Sequence, residues 1–106
     1  MTTMDIGDFV RIGFNKNEAK VYLSLIKFGK ADAHQLIKDT KFHKNIVYDN
    51  LEKLIDKGLV TYISEENRRI FQVSSPNTLK EFFNEQQKEL DNKKEMANKI
   101  AIEIEK

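Results

Sequence analysis

The sequence contains no cysteine, one proline and four glycines among its 106 residues. Without cysteine the chain has no disulfide, no thiolate nucleophile and no cysteine-ligated zinc site, which is typical of a reducing compartment such as the cytoplasm. No stretch approaches the roughly 18 apolar residues of a membrane span. The charged residues Asp5, Asp8 and Arg11 lie where a secretory signal is apolar. We therefore predict a soluble cytoplasmic protein with long helices and no membrane partner.

The charge is balanced, because 18 basic and 17 acidic residues give a formal net charge of +1. Any binding of nucleic acid must then depend on local clusters of charge. A chain of this length has room for one core, which argues against a two-domain enzyme. His34 and His43 have no metal-ligand spacing, and the sequence has neither a glycine-rich phosphate loop nor a serine elbow. We predict a protein that is not an enzyme and has no metal, cofactor or small-molecule ligand.

Two helices are predicted at the start of the chain. A short apolar stretch ends at Gly13. Asn15, followed by Glu18 three residues later, is the pattern of a capping box, and apolar residues recur at helical spacing as far as Phe28 before Gly29. Because apolar residues lie on two sides of this second helix, we expect it to pack against two neighbours.

A helix-turn-helix is predicted next. Asp32 and Gln35 repeat the capping pattern for a short helix that ends near Thr40. After only two residues a further helix covers about residues 43–57 and ends at Gly58. Two helices joined by so short a turn are typical of this motif, in which the first helix holds the second, the recognition helix, toward solvent.

A β-hairpin follows the recognition helix. Residues 59–63 and 69–73 are rich in β-branched and aromatic side chains and are separated by a polar segment at residues 64–68. This pattern predicts a wing over about residues 59–73. The fold predicted for residues 1–75 is a winged helix-turn-helix, mainly α with a small β-hairpin, and we assign DNA binding to it.

Residues 76–106 are predicted to form one long, coiled-coil-like helix, because Ser75 and Pro76 form a helix start and no breaker follows. A helix of about 30 residues is about 45 Å long, whereas a compact chain of this size has a radius of gyration near 13 Å. Apolar residues form a heptad seam that Gln86 and Lys93 interrupt. The alternative is that the helix folds back over its own domain. We predict a homodimer through the seam residues Leu79, Phe83, Leu90, Ala97, Ile100 and Ile104.

The start of the recognition helix is the main candidate site. No acidic residue lies between Thr40 and Tyr48, whereas Lys41 and Lys44 are basic. A helix N-terminus also favours phosphate through its free N–H groups and its dipole. The hairpin contains a second cluster of positive charge. On charge alone, ordinary solvated charges remain the alternative. The residues predicted to contact double-stranded DNA are Lys41, His43, Lys44, Asn45, Ile46, Tyr48, Asp49, Arg68 and Arg69.

Three segments resemble the N-terminal winged-helix domain of TrmB-type transcriptional regulators, which are mostly archaeal. They are NEAKVYLSL from Asn17, GKADA from Gly29 and VYDNLEKLIDKGLV from Val47, and the resemblance covers about residues 6–79. It implies operator binding through the recognition helix, with the wing on the DNA backbone. The recognition-helix residues that match the family's DNA-reading positions are His43, Lys44, Asn45 and Ile46, and Arg68 and Arg69 match the wing.

Three positions depart from the family pattern. The family usually has glycine in place of Lys41, often proline in place of His43, and a polar or basic residue in place of Ile46. Ile46 could contact a thymine methyl group or meet a protein. The alternatives are therefore a winged-helix module that binds a protein through Ile46 and Tyr48, and an architectural chromatin protein. Full-length members of the family also carry a sugar-binding domain, so we expect either a stand-alone regulator or the DNA-binding part of a longer one.

Overall fold

The computed structural model describes residues 5–106, which form two compact units that divide between Ser75 and Pro76. The second unit is a single helix, α5 (Pro76–Glu105). The predicted winged helix-turn-helix with a long final helix is confirmed. The elements of the first unit are α1 (Ile6–Arg11), α2 (Lys16–Phe28), β1 (Lys30–Ala31), α3 (Ala33–Thr40), α4 (Lys44–Asp56), β2 (Val60–Glu65) and β3 (Arg68–Val73).

Three helices of the first unit begin with a reciprocal capping box. Asp5, Asn15 and Asp32 each accept a hydrogen bond from the backbone N–H three residues further on, and the side chain at that position accepts one from the N–H of the cap. The helix starts predicted at Asn15 and Asp32 are confirmed. Each cap is worth about 1 kcal/mol, because it satisfies N–H groups that have no partner within the helix.

The helix α2 lies at the centre of the first unit. Val21 and Leu25 are fully buried, and α2 packs against α1, α3, α4, β1 and β3. The recognition helix α4 turns Val47 and Leu51 into the same core. The prediction that α2 has neighbours on two sides is confirmed, although Phe28 at its end is exposed.

The two strands of the wing are longer than predicted, although the wing spans nearly the predicted residues. β2 and β3 pair antiparallel along their whole length, so Glu65 lies opposite Arg68. The five-residue turn predicted over residues 64–68 is wrong, because only Glu66 and Asn67 form it. Their φ angles of 46° and 65° are those of a two-residue hairpin turn, whose twist follows that of the strands. Charged residues have little intrinsic preference for strands, but cross-strand pairing outweighs that preference.

The third strand, β1, was not predicted. Ala31 pairs with Phe71, and the sheet order is β1-β3-β2. A two-residue strand is too short to show alternation, so its sequence reads as a turn. Because β1 leads directly into α3, its pairing with β3 places the start of the helix-turn-helix beside the wing.

The turn of the helix-turn-helix is built on Lys41. This residue has φ 63° and ψ 20°, in the left-handed region, and its N–H donates to the carbonyl of Ile37. The N–H of Phe42 donates to Oγ1 of Thr40 at 3.3 Å. A left-handed conformation costs a residue with a Cβ about 1–2 kcal/mol. The glycine that the family usually has at this position can adopt the left-handed conformation without this cost. This chain adopts the same conformation with lysine.

The helix α5 has no buried residue. Near its start the apolar side chains are half-buried, namely Leu79, Phe82 and Phe83. Further along, the large apolar side chains are exposed, namely Leu90, Met96, Ile100, Ile102 and Ile104. Within residues 5–106 no helix is long and apolar enough to cross a membrane.

Candidate nucleic-acid interface

The start of α4 has no side-chain cap. His43 occupies the N-cap position with an extended backbone, but its side chain makes no hydrogen bond to the helix, in contrast to the capping residues of α1, α2 and α3. The carbonyl of His43 accepts from the N–H groups of Ile46 and Val47. The first N–H groups of the helix therefore remain available to an external acceptor, which a phosphate oxygen would suit.

The side chains around this helix start are exposed and carry no negative charge. Lys41, His43, Lys44 and Asn45 are exposed, and the first turn of α4 contains no acidic residue. The ammonium group of Lys44 lies 6.0 Å from the centroid of the Tyr48 ring, at the limit of a cation–π contact. The helix dipole and the lysines thus favour an anion at the same place.

The two flanks of α4 differ. Ile46 is half-buried and lines a groove toward the first turn of α2, together with Asp49 and Lys53. Tyr48 lies on the other flank, toward the wing. Ile46 and Asp49 are therefore separated from Tyr48, and the structure does not bring the predicted residues of α4 onto one flat face.

A cavity of about 810 Å³ lies between the start of α3, the recognition helix and the wing. Tyr48 contributes from α4, and Arg68 and Arg69 contribute from β3. His34, which we did not predict as a site residue, also lies in this wall. Among residues 5–106 no three histidine or acidic side chains converge as a metal site.

Both wing arginines form ion pairs with carboxylates of the helix-turn-helix. Nη1 of Arg68 lies 2.8 Å from Oδ2 of Asp32, and Nη1 of Arg69 lies 3.6 Å from Oε1 of Glu52. The guanidinium of Arg69 also lies 4.5 Å from the centroid of the Tyr62 ring. Sequence reasoning missed Asp32 and Glu52 as partners of the wing. The only signal was the capping pattern at Asp32, which says nothing about β3.

Residues 10–77 match the family described as sugar-specific transcriptional regulator TrmB. The chain belongs to the TrmB family. This match covers more than half of the chain and confirms the resemblance in the sequence, and the family is described as one of transcriptional regulators, which is the class predicted for this chain. No match is found among curated protein sequences.

Solved structures share the fold. The archaeal chromatin protein TrmBL2 matches with a TM-score of 0.81 and 22% identity, over 94% of this chain and 40% of TrmBL2, so this chain spans less than half of that protein's length. A possible transcriptional regulator from Methanosarcina mazei Go1 gives 0.68 and 15% identity, over 91% of this chain and 88% of its own.

A third structure is the homodimeric winged helix-turn-helix DNA-binding domain of Mb0332 from Mycobacterium bovis. It matches with a TM-score of 0.57 and 17% identity, over 82% of this chain and 77% of its own. At these identities the three structures establish the fold. The matched family and these proteins are described as regulators or DNA-binding proteins and not as enzymes.

Proposed function

We propose that this TrmB-family chain regulates transcription by placing the start of α4 in the major groove of double-stranded DNA and the wing against the adjacent backbone. The observation that carries the proposal is the uncapped N-terminus of α4, beside the exposed residues His43, Lys44 and Asn45. Helix-turn-helix proteins present this part of the recognition helix to base edges. Backbone N–H groups and a lysine give the phosphate contacts that fix the register.

The wing supports the same geometry. Its arginine side chains and the Tyr48 flank of α4 line one cavity. A guanidinium in a hairpin can hold a phosphate without reading the sequence. Lys41 adds a positive charge in the turn before α4, where its side chain is exposed.

We further propose that the protein is a homodimer through α5. Leu90, Ile100 and Ile104 lie on the heptad seam and are exposed, as are most residues of this helix. Apolar side chains that recur along a seam of this kind pack against a second helix. The Mb0332 domain, which shares the fold, is described as homodimeric, which favours the same assembly here. A dimer would read two half-sites, as helix-turn-helix dimers do.

A titration of the whole chain against a duplex of arbitrary sequence tests DNA binding. Fluorescence anisotropy should show that the logarithm of the association constant falls linearly with the logarithm of salt concentration between about 50 and 200 mM, because phosphate contacts release counterions. No binding at low salt would contradict the proposal and favour the protein-interaction module. Selection from a random duplex pool then separates the remaining cases, since a regulator enriches an operator and an architectural protein enriches no sequence.

A further inference from the structure

The two wing arginines have different neighbours across the hairpin. In the β2–β3 register Arg69 lies opposite Ser64 and Arg68 lies opposite Glu65. Directly paired residues share a face, and neighbouring residues of one strand alternate between faces. Arg68 therefore shares its face with a carboxylate, whereas Arg69 shares its face with a neutral hydroxyl.

The partner of Arg68 is a carboxylate that the fold has already fixed. Oδ1 of Asp32 accepts from the N–H of Gln35 at 2.9 Å, and the N–H of Asp32 donates to Oε1 of Gln35 at 3.0 Å. Oδ2 then accepts from Arg68 at 2.8 Å. Because the capping box holds the carboxylate in place, Arg68 bonds to an acceptor that loses no further freedom. This bond ties the first residue of β3 to the start of α3.

The charges around Arg68 disfavour a phosphate. Its own charge is matched by Asp32 at bonding distance, and Glu65 lies directly across the strand pair. An incoming phosphate would meet both carboxylates as well as the arginine. Like charges at this range repel, and a phosphate that displaced Asp32 would leave that carboxylate unpaired beside it.

Arg69 differs from Arg68 in its partner, since the Arg68 side chain is itself 60% exposed but pairs with an Asp32 side chain that is only 15% exposed. The contact of Arg69 with Glu52 is 3.6 Å, longer than a hydrogen bond, and the two side chains are 48% and 57% exposed. Such a pair adds little stability and is screened by salt. The cation–π contact with the Tyr62 ring holds the guanidinium in place while leaving its N–H groups able to donate. This arginine is therefore held in position with an acceptor that a phosphate can replace.

We propose that the wing arginines have different roles, with Arg69 contacting a DNA phosphate and Arg68 acting as a positioning residue that holds the wing on α3 through Asp32. The proposal rests on the DNA-binding function proposed above. When a DNA phosphate binds, it replaces Glu52 as the partner of Arg69, whereas the ion pair between Arg68 and Asp32 remains.

Salt-dependent binding to a duplex of arbitrary sequence separates the two roles. Arg69→Gln should lower the slope of log K against log salt by about one, because one phosphate contact is lost. Arg68→Gln should leave the slope unchanged. Lys88→Gln on α5 is the control for losing one positive charge elsewhere, and it should also leave the slope unchanged. A slope that falls by about one for Arg68→Gln, or that stays the same for Arg69→Gln, would overturn the assignment.

Asp32→Asn tests the positioning role. Asparagine caps a helix as well as aspartate does, so α3 keeps its start while Arg68 loses its charged partner. If Arg68 positions the wing, the variant should bind DNA several-fold more weakly, although removing a negative charge would by itself strengthen binding. Tighter binding with a slope larger by about one would mean that Arg68 is a phosphate ligand restrained by Asp32, and would overturn the proposal.

Thermal denaturation gives an independent readout. Asp32→Asn and Arg68→Gln should each lower Tm, and the double variant should be no less stable than the worse single one, because both changes remove the same pair. Arg69→Gln should leave Tm unchanged. Additive losses would contradict the pair. If the unaltered protein bound no DNA at any salt concentration, both the proposed function and the role of Arg69 would be wrong. If it bound DNA but the variants did not behave as expected, only the assignment of the wing arginines would be wrong.

Discussion

Nζ of Lys57 lies 2.6 Å from Oε2 of Glu18, in an ion pair that joins the end of the recognition helix to the first turn of α2. The Glu18 side chain is 2% exposed, and its other oxygen accepts from the N–H of Asn15. Nζ of Lys57 also lies 4.9 Å from the centroid of the Phe14 ring. One carboxylate thus closes a capping box and anchors α4 at the end away from its uncapped start.

Removing Lys57 should be costly because it leaves a buried carboxylate without its counter-charge. Lys57→Met should lower the free energy of unfolding by about 3 kcal/mol or more. Glu18→Gln combined with Lys57→Met should recover part of this loss, because glutamine is neutral and can still complete the capping box. Urea denaturation followed by circular dichroism measures both. A double variant as unstable as Lys57→Met alone would show that the ion pair is not the cause.

The missing cap at α4 predicts opposite effects on stability and on DNA binding. His43→Asn supplies a neutral capping side chain and His43→Asp supplies a charged one, so both should stabilise the fold by about 0.5–1 kcal/mol. Both should also weaken DNA binding, since the new side chain occupies the N–H groups proposed for phosphate. The aspartate variant should bind more weakly because its charge repels phosphate.

The measurements are thermal unfolding and duplex titration on the same preparations. A stabilised asparagine variant with unchanged DNA affinity would contradict the proposed role of the helix N-terminus. Equal affinities for the asparagine and aspartate variants would place the DNA away from this residue.

Local sequence signals predict the helices well. Asn15 with Glu18 marks the start of α2, and Gly58 lies in the left-handed region just after α4, as its predicted role as a helix stop requires. These signals act within a few residues of each other, so they can be read without knowing the fold. The two-residue strand β1 has no such signal, because its pairing with β3 depends on residues about forty positions away.

The same limit applies to the site. Charge pattern and helix order identify the start of α4 and the basic wing. They cannot assign Asp32 to Arg68 or Glu52 to Arg69, because those pairs exist only once β3 lies beside the helix-turn-helix. Helical periodicity also cannot place Ile46, whose half-buried position depends on the groove that α4 forms with α2.

Substitutions that remove a base contact should affect DNA binding differently from substitutions that remove a contact to the DNA backbone. Lys44→Ala and Asn45→Ala should each lower affinity for a selected operator more than for random duplex, by about 1–3 kcal/mol where the lost contact is to a base. Competition titrations with both duplexes at one salt concentration measure the difference. If a folded double variant kept both its affinity for the operator and its preference for operator over random duplex, the start of α4 would not be part of the recognition surface.

The pKa of Asp39 predicts how stability depends on pH. The Ser24 hydroxyl donates to Oδ2 of Asp39 at 2.7 Å, and Nζ of Lys27 lies 2.9 Å from Oδ1. The hydrogen bond from Ser24, followed by that from Lys27, lowers the pKa of Asp39 below its ordinary value. The pKa of this carboxyl is therefore lower in the folded state than in the unfolded state. The ionised Asp39 stabilises the fold fully at pH values above the pKa of the unfolded state, and this contribution is lost as the pH falls through the pKa of the folded state.

Ser24→Ala should therefore destabilise the first unit at neutral pH, by about 1 kcal/mol for the lost hydrogen bond. The difference between the variant and the unaltered chain should shrink as pH falls from about 5 to about 2, because Asp39 becomes protonated in both states of both proteins. Chemical denaturation across this pH range is the measurement, and Ser64→Ala on the exposed wing is the control. A difference that stayed constant with pH would show that the hydroxyl acts through packing and not through the carboxylate.

Two isoleucines on α5 test the proposed dimer directly. Ile100 lies on the heptad seam and Ile102 lies off it, although their exposed fractions are nearly equal at 53% and 57%. Ile100→Asp places a charge in the proposed interface and should weaken association by about 3 kcal/mol or more, whereas Ile102→Asp places the same charge where a two-stranded coiled coil is solvated. Sedimentation at about 100 μM should therefore show Ile100→Asp as monomer and Ile102→Asp as dimer, a loss of more than about a hundredfold in association. Equal effects of the two changes would refute this seam, and an unaltered chain that sediments as monomer would refute the dimer itself.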